Sequence, residues 1–535
     1  MSVLQSSLFR HQVRPQSPFD KSPPNIVFRC GDLTLIPLHS DILAHISPYF
    51  QSMFQLPQSP PTSDDSAEST LPIIDIVEDH VTVRRLMMYG YPGRMPAFES
   101  LEMSERLIRF ADKYDAADIM DTLVEQLPKT REYSLGVYGL AVRCGFEQVA
   151  SEAALRFKTG YQWVKAADVD DAENYVWEYT AADRSFTPNI SAGAYHRLVR
   201  FILGAPVAAF IHPPSHTRSD AEQDQNGTVP PPYVNADLIV RSTEGGDFPV
   251  HSAILSLSSP ILEKKVKDAL AAALNLTQRD TLPVMEIGQP TSILTLLLAF
   301  VHPSGCAVLP DDQLSKASAL LQAAFTLQIS KIIDMSSQIL KRLAEKTPLQ
   351  AYLVSVILGK EKDVRYCATR CAQENTRYYP STLGATPPEM EDVLADYYYP
   401  LLKYCFEYRA AVRKVSRSKL PELDKRRVQG VSRWWSGDLS RDVAEVTEAC
   451  MLRMGIGLSG NGSFPSSTIE RYCQDTAKAL REATSQVRLI VSLDNCTGLL
   501  NVDSGTAQTS MGTDTCFRFI LSVNDAERLY FFETF

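Results

Sequence analysis

The sequence lacks the features that mark membrane, secreted and nucleic-acid-binding proteins. Its longest apolar run, Ile293 to Val301, is interrupted by Thr295 and is far shorter than the ~20 residues of a membrane-spanning helix. No apolar leader segment occurs in residues 1–25. Lysine and arginine number 53 against 63 acidic residues, and the net charge of −10 argues against a general affinity for nucleic acid. We therefore expect a soluble intracellular protein, cytoplasmic or nuclear, with no membrane partner.

The sequence also lacks the common catalytic and metal-binding motifs. The ten cysteines form no CxxC pair, and GxxxxGK[ST], HExxH and GxSxG are all missing. Residues 455–460 fit GxGxxG, but a helical pattern precedes them where a dinucleotide site needs a strand, so a loop is the better interpretation. We predict no catalytic residue, no cofactor and no metal site, and hence a protein that is not an enzyme.

What the sequence does contain is an internal repeat. Residues 37–50 (PLHSDILAHISPYF) match residues 249–262 (PVHSAILSLSSPIL) at seven of fourteen positions, with a constant offset of 212. The match extends upstream to residues 25–29 and 237–241, and downstream with small slips to Gly145 and Gly359. Such self-similarity indicates a tandem duplication of a module of roughly 180 residues.

Each copy has the pattern of a small sheet followed by helices. In the first copy, two short apolar runs flank Gly31-Asp32 and predict a hairpin. Apolar residues at helical spacing from Ile42 to Met53 predict one helix, and residues 71–77 predict a third strand. Helical patterns dominate after residue 80. We predict a helix-dominated α/β fold in two copies, with helical extensions.

The marker run from Pro37 to Phe54, set between short strands, resembles the BTB/POZ domain, and residues 107–114 resemble the helix before that family's last helical hairpin. The second copy keeps the front half of the pattern but replaces Tyr49-Phe50 with Ile261-Leu262. The two-copy layout is similar to tandem BTB proteins of fungi. The resemblance implies no catalysis and a role in protein–protein association, as a dimerisation or scaffold protein.

Composition and resemblance together predict eight segments. They are a flexible N-terminus (1–24), a first BTB/POZ-like domain (25–128), a helical extension (129–204), a Pro-rich linker (205–234), a second BTB/POZ-like domain (235–343), a second helical extension (344–412), a helical C-terminal region (413–488) and a strand-like tail (489–535). Because the two copies share their apolar faces, we expect them to pair within one chain or in a homodimer.

The candidate residues form two groups. Those expected to carry association, although most are also candidates for the core, are Tyr49, Phe50, Met53, Phe54, Ile261 and Leu262. Those that mark the motif are His39, Ser47, Pro48, Asp237, His251, Ser259 and Pro260. The two histidines have no neighbour at zinc-type spacing, which favours a structural role at a strand-to-helix junction. Cys367 and Cys371 align with Ala153 and Phe157 of the first copy, so we expect core side chains rather than metal ligands.

Two alternative functions follow from other parts of the sequence. Many BTB proteins deliver substrates to a cullin-type ubiquitin ligase. They contact the cullin through an apolar-x-acid element that follows the helix at the end of the marker run. The first copy has a Pro/Ser-rich insertion there (residues 57–70), and the second offers Val266-Lys-Asp268. The basic stretch 409–433 would suit a nuclear transcription regulator, although a charged helix surface explains it as well. Ser59 and Ser63 in the insertion are candidate phosphorylation sites.

Overall fold

A computed structural model describes residues 23–56, 71–93, 95–130, 133–160, 190–211, 236–274, 282–302, 308–373 and 386–419, with short pieces at 478–479, 482–483, 485–489 and 521–522. The described residues form two compact units. Unit 1 holds residues 23–160 and 207–211, and unit 2 holds residues 190–206 and those from 236 onward.

Unit 1 begins with a three-stranded sheet in the order β2-β1-β3. Its strands are β1 (Ile26–Arg29), β2 (Leu35–Leu38) and β3 (Ile73–Asp75). The first two form an antiparallel hairpin with Ile26 opposite Leu38, and β3 runs parallel to β1. Alternate side chains of β1, Ile26 and Phe28, are buried, as the two-residue period of a strand requires.

The apolar stripe from Ile42 to Met53 forms two helices rather than the single helix predicted. These are α1 (Ser40–Ile46) and α2 (Pro48–Gln55). Ser47 between them is extended, with φ −149° and ψ 116°. Pro48 then occupies the first helical position of α2, where its missing N–H costs nothing.

Five further helices complete the described part of unit 1. They are α3 (His80–Gly90), α4 (Leu101–Lys113), α5 (Ala117–Glu125), α6 (Ser134–Cys144) and α7 (Glu147–Gly160). Every residue of α6 from Ser134 to Ala141 is buried, so this helix is the centre of the helical cluster. It ends at Gly145, whose φ of +80° is the left-handed conformation that terminates many helices.

Unit 2 repeats this plan. Its elements are α8 (Ala192–Ile202), β4 (Leu238–Arg241), β5 (Asp247–Val250), α9 (Ser252–Ser258), α10 (Pro260–Leu274), β6 (Val284–Glu286), α11 (Thr291–Val301), α12 (Ala317–Thr326), α13 (Ser330–Lys346), α14 (Pro348–Ile357), α15 (Glu361–Gln373) and α16 (Ala395–Lys419), with 3₁₀ turns at Asp311–Lys316 and Pro388–Met390. The sheet order β5-β4-β6 and its strand pairings correspond to those of unit 1. The duplication inferred from sequence is therefore a duplication of fold.

Two parts of unit 2 lie outside that repeated plan. Helix α8 follows the first copy in sequence but packs on α16, which ends the second helical extension. Near the C-terminus, β7 (Arg488–Leu489) pairs antiparallel with β8 (Leu521–Ser522), and β7 contacts α16. Among the described helices of both units, none is long and apolar enough to cross a membrane.

Candidate protein-interaction surfaces

Ser47 and Ser259 have the same structural role in the two copies. The Ser47 hydroxyl accepts the N–H of Phe50 at 3.2 Å and donates to the backbone carbonyl of Tyr114, at the end of α4. The Ser259 hydroxyl accepts the N–H of Leu262 at 3.1 Å and donates to the carbonyl of Leu327, at the end of α12. Both serines are buried. Ser47 thus ties the start of α2 to the end of α4, and Ser259 ties the start of α10 to the end of α12.

The residues before the first strand of each copy cap the following helix. The side chain of Asp237 accepts the backbone N–H of Ser252 at 2.7 Å and its hydroxyl at 2.6 Å. Burial opposes ionisation of this carboxyl, but the two bonds from Ser252 outweigh it, and the pKa of Asp237 lies below its ordinary value. Asn25 makes the corresponding pair of bonds to Ser40, both at 2.8 Å. Asp237 thus supports the fold in the same way as Asn25.

His39 lies at the strand-to-helix junction and contacts a tyrosine. Its Nδ1 is 2.9 Å from the hydroxyl of Tyr91, and its backbone N–H donates to the same hydroxyl at 2.9 Å. Burial raises the pKa of Tyr91 to about 12, so the hydroxyl stays protonated. In the second copy, the sequence places His251 and His302 at the two corresponding positions. The described residues contain no group of three or more His, Cys, Asp or Glu that could hold a metal ion.

The predicted association residues divide into buried and accessible ones. Phe50 and Leu262 are 1% and 2% exposed. The Phe50 ring stacks on Tyr114 at 5.1 Å between centroids and lies 5.4 Å from Phe28. Because both side chains are enclosed in the core, Phe50 and Leu262 stabilise their copies and are removed from the candidate surface. Tyr49 is 49% exposed.

The accessible side chains of α2 form an apolar patch. Tyr49 packs edge-on against Tyr114 at 5.5 Å, and the half-buried Phe54 stacks over Phe50 at 6.4 Å. The half-buried Met53 and the 63% exposed Leu56 complete it. We call Tyr49, Met53, Phe54 and Leu56 the α2 patch. Leu56 was missed from the sequence because it follows the last turn of the helical stripe.

The second copy does not have an equivalent patch. At the offset of 212, the corresponding residues are Ile261, Lys265, Val266 and Asp268. Only Ile261 is both apolar and partly accessible, because Val266 is 2% exposed and the other two are charged. The two copies therefore share a core and differ at this surface.

Comparison with known proteins accounts for this shared frame. A family model for the BTB/POZ domain matches residues 17–131 and residues 232–343. The chain contains two BTB/POZ domains. We call them BTB domain 1 and BTB domain 2, and the helix-dominated tandem fold predicted from the sequence is confirmed. A comparison with curated proteins finds no match to the chain.

The apolar-x-acid element of BTB domain 2 is not presented as a contact surface. The side chain of Val266 faces the core, and Lys267 pairs along the helix with Glu263 at 2.6 Å. In BTB domain 1, the nearest acids, Asp64, Asp65 and Glu68, lie outside the described residues. So do Ser59, Ser63, the GxGxxG match at 455–460 and residues 420–433 of the basic stretch.

The paired cysteines of the extension after BTB domain 2 are core residues. Cys367 and Cys371 are 0% and 3% exposed on α15, and burial raises the pKa of Cys367 to about 12. Their sequence counterparts Ala153 and Phe157 are buried in unit 1 to the same degree. A thiol with a raised pKa is a poor nucleophile and a poor metal ligand at neutral pH.

Proposed function

We propose that this protein is a non-enzymatic scaffold that binds proteins through its BTB domains, and that the α2 patch is the main contact surface of BTB domain 1. BTB domains are interaction modules, and the chain carries two of them. The observation that carries the proposal is the α2 patch itself, in which adjacent apolar side chains remain accessible on a capped helix. Contiguous exposed apolar patches of this kind mark protein-binding sites.

Divergence between the two domains supports the same conclusion. Corresponding positions of α2 and α10 are buried in both domains, as Phe50 and Leu262 are. The exposed positions near the end of α2 are apolar, whereas their counterparts on α10 include charged residues. Two BTB domains with a common core and different exposed surfaces suit a protein that binds two different partners. A second molecule of the same protein is the first partner to test. The α2 patch of one molecule can cover the α2 patch of the other around a twofold axis.

The test is self-association of the full chain carrying Tyr49→Lys and Met53→Lys. The control is Leu257→Lys, which places a single lysine at an 89% exposed leucine of BTB domain 2. Solution mass is measured by sedimentation as a function of concentration. We expect the α2 variant to weaken association at least tenfold and the control to match the unchanged protein.

Two results would overturn the proposal. One is an α2 variant that associates as tightly as the unchanged protein. The other is an equal loss in Leu257→Lys, which would indicate a general effect of added charge. Circular dichroism of each variant establishes that the fold is retained.

A further inference from the structure

Two segments outside the family-matched residues correspond to each other in sequence and in burial. At a constant offset of 203, residues 190–202 align with residues 393–405. Seven aligned pairs are buried at both positions: Ile190/Val393, Ala192/Ala395, Ala194/Tyr397, Tyr195/Tyr398, Leu198/Leu401, Val199/Leu402 and Ile202/Cys405. We call residues 190–202 the first segment and residues 391–405 the second segment.

The two segments meet through a symmetric contact within unit 2. The N–H of Ala192 donates to the carbonyl of Val393 at 2.6 Å, and the N–H of Ala395 donates to the carbonyl of Ile190 at 2.9 Å. Each bond is the counterpart of the other under the offset of 203. The bridge pairs Ser191 with its own counterpart, Leu394, in antiparallel fashion.

Aromatic side chains continue this symmetry. Tyr195 and its counterpart Tyr398 contact edge-to-face, with 6.4 Å between ring centroids. Corresponding residues therefore meet corresponding residues, which is the pattern of an isologous dimer interface. Here it occurs between two segments of one chain.

Other groups in the contact break the symmetry. The carboxylate of Glu391 accepts the Ser191 hydroxyl at 2.7 Å and forms an ion pair with the guanidinium of Arg197. It also lies where Gly193 leaves space, because a Cβ on Gly193 would be 2.0 Å from a Glu391 oxygen. A side chain at position 193 would displace this carboxylate from its present place.

The counterparts of these groups cannot reproduce the contact. At the offset of 203, Glu391 corresponds to Pro188, which lies just before the first segment. Arg197 corresponds to Pro400. Two first segments would thus pair without an acid for Arg197. Two second segments would pair without a cation for Glu391 and would place Asp396, the counterpart of Gly193, against that carboxylate.

We propose that these segments are a duplicated self-association element that has become selective for the unlike pair. Each segment binds the other and rejects a second copy of itself. Because both segments belong to one chain, their high effective concentration directs the pairing within that chain. This contact is separate from the α2 patch, so it holds whether or not BTB domain 1 binds a partner there.

The test uses cysteine cross-linking at the centre of the symmetric contact, in the full chain. Ser191 and Leu394 form a pair whose Cα atoms are about 4.5 Å apart in such a bridge, within reach of a disulfide. The variants are Ser191→Cys, Leu394→Cys and the two combined. After oxidation, non-reducing electrophoresis gives the mass, and peptide mass spectrometry identifies the joined residues.

We expect the combined variant to form a 191–394 disulfide within one chain, in more than half of the molecules. Neither single variant should form a covalent dimer above the level of the unchanged protein. A 191–191 or 394–394 dimer, a 191–394 bond found only between chains, or no cross-link in the combined variant would each overturn the proposal.

A charge reversal tests the basis of the selectivity. Arg197→Glu in the combined variant should lower the yield of the intrachain disulfide at least threefold, because it sets two carboxylates together. The matched control is Lys403→Glu on α16, where the lysine side chain is 55% exposed. An unchanged yield with Arg197→Glu, or an equal loss in the control, would contradict a role of the ion pair in choosing the partner.

Discussion

At the scale of single residues, two buried serine hydroxyls each join the start of one helix to the end of another. Ser47→Ala removes the cap of α2 and takes a hydrogen bond from the Tyr114 carbonyl. We expect the opening free energy of the α2 amides to fall by about 2 kcal/mol, the sum of a lost cap and an unpaired buried acceptor. Hydrogen exchange measures this free energy locally.

The matched control for Ser47→Ala is Ser52→Ala, an exposed serine on the same helix. It should change the opening free energy by no more than about 0.5 kcal/mol. Equal effects of the two substitutions would show that the link between α2 and α4 contributes no stability.

His196 makes the stability of unit 2 depend on pH. The side chain is fully buried between α8 and α16, with Nδ1 3.0 Å from the Tyr398 hydroxyl. Desolvation, reinforced by Arg200 and Arg197, lowers the pKa of His196 from 6.5 to about 3. Below pH 6.5 the unfolded chain binds a proton that the folded chain refuses, so stability falls from pH 6.5 towards pH 3 by roughly 1 kcal/mol per pH unit.

Replacing the imidazole should remove this contribution to the pH dependence. We expect His196→Phe to flatten the pH profile of α8 protection between pH 4.5 and 6.5, measured by hydrogen exchange corrected for the intrinsic rate at each pH. His45→Phe is the control, since His45 is exposed on α1. A profile as steep in His196→Phe as in the control would assign the pH dependence to other groups.

At the scale of elements, the two hairpins use different residues for the same turn. Leu33 has a φ of +64°, and its counterpart Gly245 has a φ of +82°. Because left-handed backbone costs a residue with a side chain about 1 kcal/mol, Gly245→Leu should lower the opening free energy of the β4–β5 hairpin by that amount. Leu33→Gly should cause no loss at β1–β2.

The control for the turn is Gly288→Leu. No atom lies within 4 Å of a Cβ at Gly288 or at Gly245, and Gly288 does not have a positive φ. The two positions thus differ in backbone conformation and not in the space open to a Cβ. An equal loss at both positions, measured by hydrogen exchange of each neighbouring strand, would argue against strain at the turn.

The elements also show what the sequence could predict. Repeat alignment placed Cys367 and Cys371 in the core, and both are buried, because aligned positions share a packing environment. The break at Ser47 escaped notice because apolar periodicity continues across a one-residue interruption. The sequence predicted a helical extension over residues 129–204, which holds α8, but it did not predict that α8 packs on α16, since a helical pattern carries no information about which distant segment covers it.

At the scale of the whole molecule, the buried Val266 bears on the cullin alternative. We expect the full chain to show no micromolar binding to a cullin N-terminal domain by calorimetry. Within the described residues, neither α2 nor α10 presents an apolar-x-acid element with an accessible apolar side chain. Val266→Ala should not change this result. Micromolar binding by the unchanged chain would favour the substrate-adaptor function and require a contact elsewhere, for which the α2-patch variant is the first test.

The position of α8 in the chain has a consequence during translation. Helix α8 begins at Ala192, and its partner α16 begins at Ala395, 203 residues later. A ribosome adds about 5–20 residues per second, so roughly 10 to 40 s pass between the synthesis of α8 and that of α16, which buries the apolar face of α8. Throughout that interval Tyr195 and Leu198 lack the helix that buries them. The nascent chain thus exposes an aggregation-prone apolar face during this interval, and a product truncated between α8 and α16 would expose it permanently.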